Sequence, residues 1–259
     1  MRLFIVIIFG LIFLTCETRQ ELRNEKNLPN DSLSLSFDKS VDTIEIDSES
    51  ATMETDTLEL RLIEAGLINV QSVNPAIMVD LKYSTADNFM GFNMYGGLQK
   101  AYLQPDVAER LGEVQAFLTE KHPHLRLYVF DAVRPAFVQE MMWDALDSIP
   151  VNERVKFVSN PKNRSIHNYG AAVDLSLFDI EKDTLLDMGA GYDDLRKIAY
   201  PKHEEHFLAL GELTQEQYKN RQLLRKAMRK GGFWVLPTEW WHFNAYSRND
   251  AKEKFEFIP

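Results

Sequence analysis

Residues 171–177 read Ala-Ala-Val-Asp-Leu-Ser-Leu, which places a carboxylate, Asp174, inside a run otherwise suited to a buried strand. An ionised side chain is costly to bury unless a counter-charge or a metal meets it. Any fold this chain adopts must therefore bring such a partner to Asp174. A histidine stands seven residues upstream in Ser165-Ile-His167-Asn-Tyr-Gly170, where the glycine lets the backbone bend sharply. Near the other end, Glu239-Trp-Trp-His242 supplies a second imidazole and a second carboxylate. His167, Asp174 and His242 make a common protein ligand set for catalytic zinc, with the fourth position left for water. The metal makes hydroxide available near neutral pH, and a carboxylate outside the ligand set can take the proton. Glu239 is the candidate for that role.

Neither motif is decisive alone, because a single buried histidine or aspartate is more often a hydrogen-bonded core residue than a ligand. The two together carry the metal reading. The spacing adds a constraint: residues three apart on a regular strand face opposite sides. Glu239 and His242 can serve one metal only if Glu239 lies in the turn before the strand or the strand is kinked, and Pro237-Thr238 favours a turn.

A third motif, Asp131-Ala-Val-Arg134-Pro135, closes an apolar stretch. Arg134 reads either as a solvated surface charge or as a fixed cation that stabilises a developing oxyanion. The segment His203-Glu-Glu-His206 could pair two imidazoles, but it lacks a third ligand and reads as a solvated helix face. His122 and His124 read as helix-end residues, and Met141-Met142-Trp143 as core.

The elements around these motifs mix both periods. Ala76–Tyr83, Leu125–Val133, Ala171–Phe178 and Glu239–Ala245 read as strands. Pro105–Lys121 is a helix with Val107, Leu111, Val114 and Leu118 in one stripe, and 136–147 a second with Phe137, Met141 and Ala145 four apart. Thr214–Lys230 is a third, with Thr214 and Gln217 as a capping box and Gly231-Gly232 as its stop. This pattern predicts a single compact α+β domain with a small sheet.

Charge separates that domain from what precedes it. Residues 17–60 hold 12 Asp/Glu against 4 Lys/Arg, whereas residues 61–259 hold 27 against 24. The first stretch reads as an acidic disordered tether, the second as the folded domain. No basic face for nucleic acid is evident. Arg2 and the apolar run Leu3–Leu14 fit a secretory signal over residues 1–16, too short to span a bilayer comfortably. The lone cysteine, Cys16, follows Phe13-Leu14-Thr15 and resembles the lipidation site of bacterial lipoproteins. An ordinary signal with an incidental cysteine is the alternative. Both predict an exported chain, periplasmic or in the cell envelope, touching membrane only through a lipid at Cys16.

The motifs resemble the vancomycin-resistance type D-Ala-D-Ala dipeptidases, the VanX family, from about Val79 to Phe243. Its anchors here are Asp80-Leu-Lys-Tyr83-Ser-Thr-Ala-Asp-Asn-Phe-Met-Gly91, Asp131-Ala-Val-Arg134-Pro135, Ser165-x-His167-x-x-Gly170-x-x-x-Asp174, Met188-Gly189 with Asp193, and Glu239-Trp-Trp-His242-Phe. The resemblance implies the fold shared by the hedgehog signalling domain and D-alanyl-D-alanine carboxypeptidases, a mainly antiparallel sheet flanked by helices. It implies one Zn2+ per chain on His167, Asp174 and His242, Glu239 as general base and Arg134 as transition-state cation. Tyr83 and Ser165 match residues lining the dipeptide pocket, and Asp193 matches the acidic residue that receives the substrate ammonium. The expected substrate is the D-Ala-D-Ala dipeptide, used in cell-wall peptide turnover. Ile166 departs from a common arginine, and Ala132-Val133 from a glycine-aromatic pair.

Two other functions compete. A D,D-carboxypeptidase acting on peptidoglycan stems would share the metal but need an open cleft, and the segment Asp80–Gly91 favours the dipeptidase. A non-catalytic zinc-containing cell-wall-binding domain would have no use for both Glu239 and Arg134.

Overall fold

The computed structural model describes residues 57–155 and 158–259. The signal segment 1–16, Cys16 and nearly all of the 17–60 tether lie outside them. Residues 57–60, which the charge pattern assigns to the tether, belong to helix α1 (57–64), anchored by buried Leu58 and Leu62.

The strands are β1 (Ile68–Asn69), β2 (Met78–Val79), β3 (Tyr102–Leu103), β4 (Leu125–Asp131), β5 (Ala172–Asp179), β6 (Thr184–Leu185), β7 (Trp234–Leu236) and β8 (Glu239–Asn244). After α1 the helices are α2 (Val70–Val73), α3 (Pro105–Lys121), α4 (Ala136–Ala145), α5 (Val151–Arg154), α6 (Glu204–Leu210), α7 (Gln215–Lys230) and α8 (Arg248–Lys254). The main sheet runs β2-β4-β5-β8-β7, with β6 beside β5. Only β2–β4 is parallel, so the sheet is mainly antiparallel as expected of this α+β fold. Ala76–Tyr83 is a strand only at β2 and closes in a tight turn, Lys82–Ser84, that carries Tyr83.

Alternation on the central strand explains how one sheet serves both core and site. Val173, Leu175 and Leu177 of β5 are fully buried, as are Leu127 and Val129 of β4. Gln115, in the middle of α3, locks onto β4 by accepting from Leu127 N and donating to Leu125 O. The opposite face carries Asp174 and Ser176. Register on β4 slips between Val129 and Asp131: Val129 opposes Leu175, and Asp131 opposes Asp174. The extra residue, Phe130, makes a bulge that turns Asp131 toward the face of Asp174. Across β5, Asp174 opposes His242. Asp131, Asp174 and His242 thus form one row over three strands.

α7 has the expected capping box, with Thr214 Oγ1 accepting from Gln217 N and Gln217 Oε1 from Thr214 N. The stripe expected on 136–147 is displaced by one position. Val138, Gln139 and Met142 are buried, and Met141 is 40% exposed. The helix is apolar on several sides, and the Gln139 side chain is drawn inward to donate to Ser159 O.

Candidate metal centre and active site

His167 sits in the turn Ile166–Tyr169, whose start is fixed by Ser165 and Asn168. Ser165 Oγ accepts from His167 N, and Asn168 Oδ1 accepts from Ser165 N. Gly170 ends the turn at φ 63°, where a Cβ would meet Leu67 Cδ2 at 2.9 Å, so only glycine is unstrained there. β5 follows at once and delivers Asp174.

Glu239 is the first residue of β8, directly after the Pro237-Thr238 turn. The β7–β8 ladder pairs Val235 with Phe243 but Leu236 with Glu239, leaving Trp240, Trp241 and His242 as an arch between paired positions. The arch sets Glu239 Oε2 3.8 Å from His242 Nδ1, despite a spacing that a regular strand would oppose.

Three donor atoms converge. Asp174 Oδ1 lies 3.3 Å from His167 Nε2 and 3.0 Å from His242 Nδ1, and the two nitrogens are 3.1 Å apart. The tautomers follow from the far sides of the rings. His167 Nδ1 donates to Ala132 O at 2.6 Å, and His242 Nε2 to Asn244 Oδ1 at 2.9 Å. In these neutral tautomers the inward nitrogens present lone pairs and buried Asp174 Oδ1 has no donor, whereas protonation of His242 would supply one. Three lone pairs facing one point fit a cation, and tying each outer ring nitrogen to an oxygen is how proteins orient metal-binding histidines. The same demand for positive charge shows in protonation. Burial opposes charge on His242, but the hydrogen bond and charge of Asp174 outweigh it and raise its pKa to about 9. Burial also opposes ionisation of Asp174, yet the two histidines hold it well below the ordinary carboxylate range. Among the described residues these three are the one group of histidine and acidic side chains placed to hold a metal ion.

Arg134 is pinned. Its Nε and Nη2 donate to Asp131 Oδ2 at 2.9 and 2.6 Å, and Nη2 lies 3.6 Å from Asp174 Oδ2. Its guanidinium carbon stands 5.1 Å over the Tyr83 ring. Tyr83, buried, donates from its hydroxyl to Asp193 at 3.0 Å. Burial, then the charge of Asp174, pushes the Asp193 carboxyl well above its usual range. Glu239 is raised as well, chiefly by burial.

One cleft is lined by Tyr83, Arg134, Ser165, His167, Asp174, Asp193, Glu239 and His242, and Ile166 reaches it too. The structure therefore gathers every candidate site residue read from the sequence. Ser165 does more than line it, since its hydroxyl caps the turn bearing His167. His203 and His206 stand apart, and their neighbour Glu204 is buried rather than solvated. Sequence reasoning assigned no role to Asp131, Tyr95 or Tyr192. Asp131 is fully buried and also accepts from the Tyr95 hydroxyl at 2.6 Å. The argument that singled out Asp174, a carboxylate on an apolar strand, applies to Asp131 equally. Tyr192, which donates to Asp174 Oδ2 at 3.2 Å, comes from a loop and left no such signal.

Residues 63–258 match the model of the D-ala-D-ala dipeptidase family. The chain belongs to that family. It is 30% identical over 177 residues to a D-alanyl-D-alanine dipeptidase of Escherichia coli (strain K12), covering 68% of this chain and 83% of the relative. A D-alanyl-D-alanine dipeptidase of Enterococcus faecium is 26% identical over 208 residues, covering 75% and 98%. One from Synechocystis is 29% identical over 177 residues, covering 58% and 71%. The family's dipeptidases are metallopeptidases, in keeping with the His167–Asp174–His242 donor set.

Proposed function

We propose that this chain is a zinc dipeptidase that hydrolyses D-alanyl-D-alanine in cell-wall peptide turnover. The observation that carries the reading is one cleft uniting a three-donor metal set with a carboxylate outside that set, a pinned guanidinium and a second carboxylate held by a tyrosine hydroxyl. His167, Asp174 and His242 would hold the zinc, which would supply Lewis acidity and lower the pKa of water toward neutrality. Glu239 takes the proton of the attacking water and returns it to the departing amine as the C–N bond breaks, giving two molecules of D-alanine. Its raised pKa suits both directions of transfer. Arg134, immobilised by Asp131, faces the negative charge that grows on the carbonyl oxygen. Asp193, steadied by Tyr83, receives the free ammonium, so a short substrate is held at its amino end. Export rests on residues 2–16, and a lipid at Cys16 would tether the enzyme to the envelope.

The test is an assay of purified protein on D-Ala-D-Ala, L-Ala-L-Ala and a pentapeptide stem, with and without a chelator. Preferential cleavage of D-Ala-D-Ala that the chelator abolishes is expected. Preference for the stem would make the enzyme a carboxypeptidase, and cleavage of none would leave a binding domain.

A further inference from the structure

Glu204, the first residue of α6, is 3% exposed, and its carboxylate accepts from Arg225 Nη1 and Nη2 at 2.7 and 2.5 Å and from Arg221 Nη1 at 3.4 Å. Arg221 on α7 is 1% exposed. Its Nε donates to Met188 O at 2.6 Å and its Nη1 to Ile198 O at 2.9 Å. One buried guanidinium therefore grips both ends of the segment Met188–Ile198, which carries Tyr192 and Asp193. Trp240 Nε1 holds the segment as well, donating to Ala190 O at 3.1 Å, and Asn220 Nδ2 donates to Asp187 O just before it at 2.9 Å. Gly189 lets the segment press on its support, since a Cβ there would fall 2.5 Å from Leu213 Cδ1.

A surface segment does not need a buried arginine to stay folded, and apolar packing usually stabilises as well as a buried ion cluster does. What the cluster supplies is position. Asp193 has φ 59°, in the left-handed region. A non-glycine residue stays there only when its surroundings over-determine it. Here the carboxylate must also stand beside Tyr83 and near Asp174, a place both burial and like charge disfavour.

We propose that Arg221, held beside the Glu204–Arg225 pair, is a positioning residue for ammonium recognition: it clamps the Met188–Ile198 segment so that Asp193 meets the amino end of the substrate. This rests on the role given to Asp193 above. The same segment carries Tyr192, whose hydroxyl reaches Asp174, so the assays are run at saturating zinc and read a ratio of two substrates from which any loss of metal cancels.

The test compares kcat/KM for D-Ala-D-Ala with that for D-lactoyl-D-Ala, in which a hydroxyl replaces the ammonium. Arg221→Lys keeps the charge but cannot reach two carbonyls and Glu204 together. The ratio should fall by about tenfold or more, through KM for D-Ala-D-Ala. Trp240→Phe removes the bond to Ala190 O along with part of a buried ring and should lower the ratio by about threefold, which decides the matter if Arg221→Lys does not fold. Asp193→Asn is the control. If it lowers the ratio while Arg221→Lys and Trp240→Phe shift only the melting temperature, the clamp is overturned and the Asp193 reading stands. If Asp193→Asn leaves the ratio unchanged, both fall.

Discussion

Tyr192 donates from its hydroxyl to Asp174 Oδ2 at 3.2 Å, and this contact divides the labour of the carboxylate. Oδ2 faces Tyr192 and Arg134, while Oδ1 is left to the two histidines. The metal set is thus oriented by a residue from a loop and not by the sheet alone. Tyr192→Phe should keep the fold and weaken zinc affinity by about tenfold to a hundredfold. Asp174→Ala and His167→Ala should lose the metal outright. Metal analysis after dialysis against graded chelator measures all three, and full zinc in Asp174→Ala would remove the ligand assignment.

Glu239→Gln should retain zinc and lose about a hundredfold to ten-thousandfold in kcat. The pH profile adds a second check. Burial raises Glu239, and a base works only when deprotonated, so kcat/KM should fall as pH drops through a value above the ordinary glutamate 4.5. That acid limb should vanish in the Gln variant's residual activity. Loss of zinc along with activity would make Glu239 a ligand.

Asp131→Asn tests whether Arg134 is aimed or merely present. It leaves a guanidinium that is 11% exposed without its nearer charge partner, a change that typically costs up to about 3–5 kcal/mol and less here because Asp174 stays at 3.6 Å. Both stability and kcat should drop, whereas Tyr95→Phe, which removes only a hydroxyl donor to Asp131, should cost about 1 kcal/mol and keep most activity. Urea titration and steady-state kinetics separate the two. Wild-type kcat in Asp131→Asn would deny Arg134 a fixed position.

Asp193 should trade stability for function. Its carboxyl is raised above the ordinary aspartate value of 3.8 by burial and by Asp174. The folded state therefore binds the proton more tightly than the unfolded chain, and stability falls as pH rises from 3.8 through the raised value. The penalty grows with pH until the raised value is passed. Asp193→Asn should melt higher than the parent at pH 7, converge with it in acid, and lose activity on D-Ala-D-Ala. Calorimetry of both proteins across pH provides the comparison, and a lower melting point at pH 7 would contradict it.

The metal set was legible because Asp174 violates the apolar pattern around it, and a violated pattern needs a reason. Glu239 was legible only conditionally, since its spacing from His242 is wrong for a strand and right for a turn followed by an arch. Arg134 stood out, but its anchor was passed over, although Asp131 offers the same signal as Asp174. Tyr95, Tyr192 and Arg221 were beyond reach, because each acts on a partner remote in the sequence and no local periodicity encodes such a meeting. The α4 face departs from the expected stripe for a simpler reason. A helix apolar on several sides has no single stripe, and the inward turn of Gln139 is decided by Ser159.

The bulge at Phe130 has a consequence for how such a chain can change over generations. Insertions between β4, β5 and β8 that spare the His167 turn and the Met188–Ile198 segment leave the level of Asp131, Asp174 and His242 unchanged, because ladder pairing sets it. A single-residue deletion at the end of β4 is another matter. It would restore an unbroken ladder, turn the Asp131 position to the opposite face and release Arg134. The strand would become more regular and the catalyst would be lost, so lineages that keep the chemistry are bound to inherit the irregularity.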